Sequence, residues 1–271
     1  MTIPVVFLHV GANSPVLEKV INQANKQNEV ILIGDSNTSH LQDECGIGFV
    51  DIQQVVDEDF VLFDKLYDHL STNPEFIEKF CFLRWFAVRT MMERVNIDRV
   101  FYADSDVMLY CDVTEENKKF EQFGMTLAHR CCGSTSFMSK KTLDDFCNYI
   151  LEIYKNKEGF EYHELLNKFS NMRKHNRDGG VCDMTLLDKF HYAQDIGGGP
   201  CIVGEMTQVI NNETYDHNLN CDEGVYDSDA RGAKNIVWGE DGNPYCYHQL
   251  LKKQVKFNAL HYQGPAKALL Q

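Results

Sequence analysis

Positive charge is scarce in this 271-residue sequence, which sets 26 lysines and arginines against 40 aspartates and glutamates for a formal charge of −14. No basic run is present, and a phosphodiester backbone needs clustered cations to release its counterions, so the expectation is no nucleic-acid partner. The same acidity argues against an anionic membrane surface. Long apolar runs are also missing. The stretch from Val5 to Val10 is too short to span a bilayer, and Met1-Thr2-Ile3-Pro4 lacks a basic leader. Ten cysteines occur, yet no two form a Cys-x-x-Cys pair suited to zinc or thiol exchange. These gaps lead to the expectation of a cytoplasmic protein with reduced thiols and no membrane span. Phosphate-loop signatures are absent too: Gly197-Gly198-Gly199-Pro200 spells neither G-x-G-x-x-G nor G-x-x-x-x-G-K and reads as a turn.

What the sequence does contain is enough apolar residue for one full core, so residues 1–271 are expected to form a single α/β domain. Pro4 to Val10 reads as a buried strand. Gly11-Ala12-Asn13-Ser14-Pro15 ends it, with Ser14 as cap and Pro15 in the first turn of a helix over 15–26. A second strand over 29–33 closes at Gly34-Asp35. Two buried strands joined by one short helix imply a right-handed parallel crossover, which brings both carboxyl ends to one rim. His9, Gly11, Asn13 and Asp35 would line that rim, although turn chemistry explains each of them and a satisfied core histidine explains His9 equally well.

Beyond a stretch over 45–59 that reads as loop, helices are expected over 60–70 and 74–95, the latter capped by Asn73 and started by Pro74. Its aromatic stripe reads as core. Arg84 stands out on it, either to pair with a phosphate or with nearby aspartates, or else as a solvated guanidinium. The helix leads into Arg99-Val100-Phe101-Tyr102-Ala103-Asp104-Ser105-Asp106, an apolar run ending in two carboxylates one residue apart. Acids at the end of a buried strand stand on the ligand-binding rim of an open sheet. They repel one another unless a cation lies between them, and a divalent ion shared with a phosphate-bearing ligand is the economical explanation. The triplet recurs as Asp227-Ser228-Asp229, but no strand leads into it and a solvated turn accounts for it.

Downstream, strands are expected over 124–129 and 135–138, and helices over 141–155, 161–172 and from 181. Residues 211–245, rich in Asn, Asp and Gly, read as a loop set for an acceptor, with Asp216-His217-Asn218 either touching hydroxyls or forming a surface turn. A last strand over 255–261 ends at His261, and Gly264 and Lys267 follow. Little apolar surface follows His261, so ligand rather than packing is expected to order the tail.

Taken together, a β-α-β opening, an apolar strand running into Asp104-Ser105-Asp106, and the closing His261-x-x-Gly264-x-x-Lys267 resemble a GT-A-type, nucleotide-sugar-dependent glycosyltransferase. The resemblance implies a Rossmann-like, mixed but mainly parallel sheet flanked by helices, with 1–110 as nucleotide-binding half and 111–271 as acceptor-binding half. It further implies a divalent metal, Mn2+ or Mg2+, held by Asp104, Asp106 and His261. The nucleotide-sugar, a UDP-sugar before a GDP-sugar, would meet His9, Gly11, Asn13, Asp35, Arg84, Asp104, Ser105, Gly264 and Lys267. Asp183, which follows Gly179-Gly180 and opens an apolar helix, would be the catalytic or acceptor-side carboxylate, with a helix cap as the alternative. The acceptor would be a glycan or another hydroxyl compound. Ala268-Leu269-Leu270 stands where the commonest version of the closing motif continues Pro-Trp, which leaves a retaining or inverting outcome open. Two other readings remain: a sugar nucleotidyltransferase, against which the missing Gly-rich basic loop counts, and a catalytically idle nucleotide-sugar or glycan-binding protein.

Overall fold

Every other residue of the first strand faces a different layer, which is why the early strands read as unbroken apolar runs. The computed structural model describes residues 2–12, 14–196, 202–221 and 224–270; Asn13 and the turn expected at 197–200 lie outside them. In chain order the elements are β1 (Val5–Leu8), α1 (Pro15–Ala24), β2 (Val30–Gly34), α2 (Leu41–Cys45), β3 (Gly48–Asp51), α3 (Glu58–Leu66), α4 (Glu75–Arg94), β4 (Arg99–Ala103), β5 (Val107–Leu109) and α5 (Val113–Glu116). Then come β6 (Met125–Leu127), β7 (Thr135–Ser139), α6 (Lys140–Lys155), α7 (Phe160–Lys174), α8 (Asp183–Ile196), β8 (Val203–Glu205), β9 (Glu213–Tyr215), β10 (Val237–Trp238), β11 (Pro244–His248) and β12 (Lys253–His261).

The fold is a mixed α/β structure around a seven-stranded sheet in the order β3-β2-β1-β4-β7-β6-β8. Only β7 runs against its neighbours, so the sheet is mainly parallel. Val6 and Leu8 of β1, with Val100 and Tyr102 of β4, pack into a core shared with α3, α4, α6, α7 and α8. Val5 and Phe7, with Phe101 and Ala103, face the opposite layer under α1. A second sheet, β10-β11-β12-β5 with β9 beside β12, has its own cluster around Phe257, Leu260 and Tyr262. No helix among the described residues is long and apolar enough to cross a membrane.

Local chemistry accounts for most boundaries. Ser14 Oγ accepts from Val16 N and Pro15 opens α1, as expected. Asn73 does not cap α4: its side-chain amide turns to Glu78 Oε1 at 2.6 Å, and Pro74 precedes the helix with no side-chain cap bond. The 45–59 stretch is not a loop. It supplies edge strand β3, paired with β2 from Ile31↔Gly48 to Gly34↔Asp51, and a 3-10 turn at Ile52–Val55. An edge strand of four half-exposed residues lacks the apolar pattern that reveals a central one.

The tail also departs from expectation. Gly264–Leu270 is a 3-10 helix, Ala266 and Leu270 are buried in the second sheet's cluster, and Lys19 Nζ donates to Leu270 O at 2.6 Å. Packing therefore contributes to its order. A buried leucine and alanine suffice because α1 lies directly beneath to receive them.

Candidate active site

Strand topology assembles the site from parts of the chain more than 150 residues apart. Asp104 and Asp106 follow β4 at the carboxyl rim of the main sheet, and the chain resumes at once as β5. β5 pairs antiparallel with β12 in the register His261↔Val107, which sets the last residue of β12 beside Asp106. Tyr262 N donates to Asp106 O at 3.0 Å and Asp104 N to Ser134 O at 2.8 Å, fixing both flanks of the turn.

Asp104, Asp106 and His261 each offer one ligand atom, and these atoms lie within 4.8 Å of one another. His261 Nδ1 is 2.6 Å from the carbonyl of His217. A carbonyl only accepts, so Nδ1 carries hydrogen and Nε2 faces Asp106 Oδ1 at 3.2 Å. In a neutral imidazole those are two lone pairs aimed at each other, an arrangement resolved by a proton on Nε2 in the free site or by a cation between the two atoms in a loaded one. Two carboxylates and one imidazole suit Mn2+ or Mg2+ better than a soft metal. The residues present thus fit a divalent ion.

Cationic side chains complete the cluster. Lys267 Nζ lies 3.0 Å from Asp106 Oδ2. Arg84 bridges two carboxylates, with Nη1 2.5 Å from Asp104 Oδ1 and Nη2 2.5 Å from Asp183 Oδ2, while its guanidinium lies 4.4 Å over the Trp85 ring. Tyr102 Oη donates to the same Asp104 oxygen at 2.9 Å. Both bonds use Oδ1, which leaves Oδ2 for a ligand role. Burial alone would raise the Asp106 carboxyl, but the hydrogen bond and charge of His261 and the charge of Lys267 hold it below the ordinary value. Burial would likewise lower His261, and its bond to Asp106 overrides that and raises it.

A cavity of 370 Å³ brings together His9, Arg84, Asp104, Ser105, Asp106, His261 and Lys267 against an apolar wall of Ile77 and Phe80 from α4. His9 reaches Ser105 Oγ through Nδ1 at 3.3 Å and Ala12 O through Nε2 at 3.0 Å. It is therefore a rim residue and not a core histidine. Gly11 and Asp35 stand beside the cavity without lining it. Gly11 N donates to Asp35 Oδ2 at 2.8 Å, and this bond with those from Asn37 outweighs desolvation and lowers the Asp35 carboxyl. Gly264 is outside the lining and starts the tail helix at φ 56°. Asp183 is only 2% exposed and reaches the site through Arg84, with Trp85 Nε1 donating to it at 3.0 Å.

Sequence reasoning missed Tyr102 as a partner of Asp104, Trp85 as a partner of Asp183, and the role of the 216–218 turn. That turn is only partly on the surface: His217 and Asn218 are half-buried, whereas Asp216 is buried and supports His261, as does the His217 carbonyl. A buried Asp in an otherwise polar run carries no local signal. The second triplet behaves as expected, Asp229 accepting from Arg231 at 2.8 Å in an exposed turn.

No protein-family model matches the sequence, and no curated protein matches it. Solved structures similar to the chain include mouse xyloside xylosyltransferase 1 in its apo form, at 10% identity over 78% of this chain and 87% of that one, TM-score 0.48. Another is glucosyl-3-phosphoglycerate synthase from Mycobacterium tuberculosis in complex with Mn2+, uridine diphosphate and glucosyl-3-phosphoglycerate, at 12% identity over 52% and 57%, TM-score 0.34. A cytidylyltransferase from Leptospira borgpetersenii is similar at 7% identity over 59% and 74%, TM-score 0.36.

Proposed function

We infer that this chain is a divalent-metal-dependent glycosyltransferase that moves a sugar from a nucleoside-diphosphate sugar to a saccharide or other hydroxyl acceptor. The observation that carries the reading is the convergence of Asp104, Asp106 and His261 on one point of the sheet's carboxyl rim, with Lys267 beside them. Such a group serves a reaction in which a diphosphate departs. The bound ion would neutralise charge that builds on the leaving diphosphate.

The chain's own residues do the rest. Lys267, an exposed ammonium on the tail helix, would turn to a phosphate oxygen as a point charge. His9, Ser105, Gly11 and Asp35 would hold the nucleoside at the ends of β1 and β2, where a carboxylate kept ionised by the Gly11 and Asn37 amides suits ribose hydroxyls. Gly264 lets the tail turn back over the diphosphate. Arg84, bonded to both carboxylates, would hold Asp104 for the ion and couple it to Asp183, to which we assign the acceptor side. A uridine diphosphate donor is favoured over a guanosine one.

The test is calorimetry of uridine diphosphate and guanosine diphosphate in Mn2+, in Mg2+ and in chelator, followed by transfer or donor hydrolysis from the sugar nucleotide that binds. Ion-dependent binding lost in Asp106→Asn supports the reading. Equal affinity with and without the ion for every nucleotide that binds would refute it.

A further inference from the structure

Behind the metal-ligand cluster lies a buried ion pair with no place in the reading above. Lys234 and Asp216 have side chains 2% and 0% exposed and meet at 2.9 Å. The three donors of the Lys234 ammonium are all spent on one turn: on Asp216 Oδ1, on Asn218 O at 2.8 Å and on Cys221 O at 2.5 Å. The other oxygen of Asp216 accepts from the backbone N of His261 at 3.0 Å. Leu219 N donates to His261 O at 3.0 Å, and Lys234 N to Leu219 O at 2.9 Å. One salt bridge thus ties the 216–221 turn to the residue that ends β12.

We propose that Lys234 and Asp216 are positioning residues that clamp this turn so that the His217 carbonyl selects the His261 tautomer with Nε2 open to a metal ion. The need for selection comes from Asp106. Its Oδ1, 3.2 Å from Nε2, favours the opposite neutral tautomer, in which Nε2–H donates to the carboxylate and closes the ligand position. The competing bond from Nδ1 to His217 O, at 2.6 Å, opposes it. That carbonyl belongs to the residue between Asp216 and Asn218, two of the three points Lys234 grips. An apolar pair would fill the same space without desolvating two charges, but it would take the partner from the Cys221 carbonyl and the His261 amide and leave the Asn218 carbonyl only its bond from Cys221 N. Holding backbone groups in place is what the charges add.

The proposal rests on Asp104, Asp106 and His261 being a metal site, and its experiment separates the two. Metal-free protein labelled with 15N on histidine is examined by NMR at about pH 8, and Mn2+ alone is titrated calorimetrically with no nucleotide. In the parent chain His261 should show Nδ1–H. Lys234→Met should move it toward Nε2–H and weaken Mn2+ binding by about 10–100-fold, the range typical when the partner of a ligating histidine is lost. If Lys234→Met fails to fold, Lys234→Met with Asp216→Leu removes both charges and gives the same two readouts. A folded variant with an unchanged tautomer and Mn2+ affinity within about twofold of the parent overturns the proposal. A parent chain that binds no Mn2+ refutes the metal reading instead, and the tautomer shift alone then decides the positioning role.

Discussion

Lys267 and His261 grip opposite oxygens of one carboxylate: Nζ stands 3.0 Å from Asp106 Oδ2 and the imidazole Nε2 stands 3.2 Å from Oδ1. The ammonium therefore competes with an ion for Asp106 yet would cooperate with it in holding a diphosphate. The two roles give opposite signs on deletion. Lys267→Ala should strengthen Mn2+ binding about fivefold without nucleotide, since a half-exposed pair contributes up to about 1 kcal/mol. The same variant should weaken a nucleoside diphosphate in Mn2+ by about 10–100-fold, the loss of a charge-assisted hydrogen bond. Its affinity for the bare nucleoside should not move. Weakening of nucleoside and diphosphate alike in calorimetry would assign Lys267 a structural role.

Arg84 spans Asp104 and Asp183 with two separate nitrogens, each at 2.5 Å, and the pair of carboxylates raises its pKa further although burial alone would lower it. A lysine offers one nitrogen and cannot reach both. Arg84→Lys should cost about 2–4 kcal/mol of stability through the bond it cannot remake to a carboxylate, and transfer should fall with it. Thermal melts and single-turnover transfer check this. Retained transfer at parental rate would remove Arg84 from the site.

Asp183→Asn keeps an oxygen for Arg84 and Trp85 but removes the charge. If Asp183 serves the acceptor side, donor affinity should stay within about threefold while transfer drops by about 10²–10⁴-fold, the span usual for general acid–base groups. The competing account is a helix-terminal carboxylate. It predicts a stability loss of about 0.3–1 kcal/mol, the charge–dipole contribution alone because asparagine caps as well as aspartate, with transfer per folded molecule unchanged.

The central strands and the site's two ends were legible because their signals are local. β1 and β4 are buried on both faces, so their apolar runs are unbroken, and both motifs sit within a few residues of a strand end. What stayed hidden joins residues far apart in sequence. Trp85 meeting Asp183, and Lys234 meeting Asp216, arise only once α4 packs on α8 and the 216–221 turn folds on β12. Edge strand β3 was hidden for a different reason: half-exposed residues show neither strand alternation nor a buried run. The tail was misread because the apolar count of a segment says nothing of the surface waiting for it.

Asp57 gives a pH test away from the site. Its Oδ1 accepts from Phe60 N at 2.8 Å at the start of α3, and its Oδ2 accepts from Arg89 Nη2 at 2.6 Å and Thr90 Oγ1 at 2.7 Å. Desolvation would raise its carboxyl, but these bonds prevail and lower it. A folded value below the unfolded one means the contribution is full above about pH 4 and is lost as pH falls through the folded value. Asp57→Ala should cost about 2–4 kcal/mol at neutral pH, a cap plus a charge-assisted bond. Urea melts should show the gap from the parent closing below about pH 4. A gap constant down to pH 2 would mean that the ionised carboxylate contributes nothing.

Leu270 tests whether packing of the tail serves the diphosphate. Its side chain is buried against the second sheet's cluster and its carbonyl accepts from Lys19 Nζ of α1, while Lys267 one turn earlier faces Asp106. Truncating a buried leucine costs about 2–5 kcal/mol in a core, and here the low end applies because the tail can detach without unfolding the sheet. Leu270→Ala should therefore speed hydrogen exchange over 264–270 by about 30-fold, since each 1.4 kcal/mol is a decade, with β4 and β12 unaffected. Detachment carries Lys267 away from the cavity, so the affinity of a nucleoside diphosphate in Mn2+ should fall by up to the same factor. Ligand should then restore part of the lost protection, because binding and docking draw on the same segment. Faster exchange with diphosphate affinity unchanged would show that the tail packs for its own sake and that Lys267 is no part of the donor site.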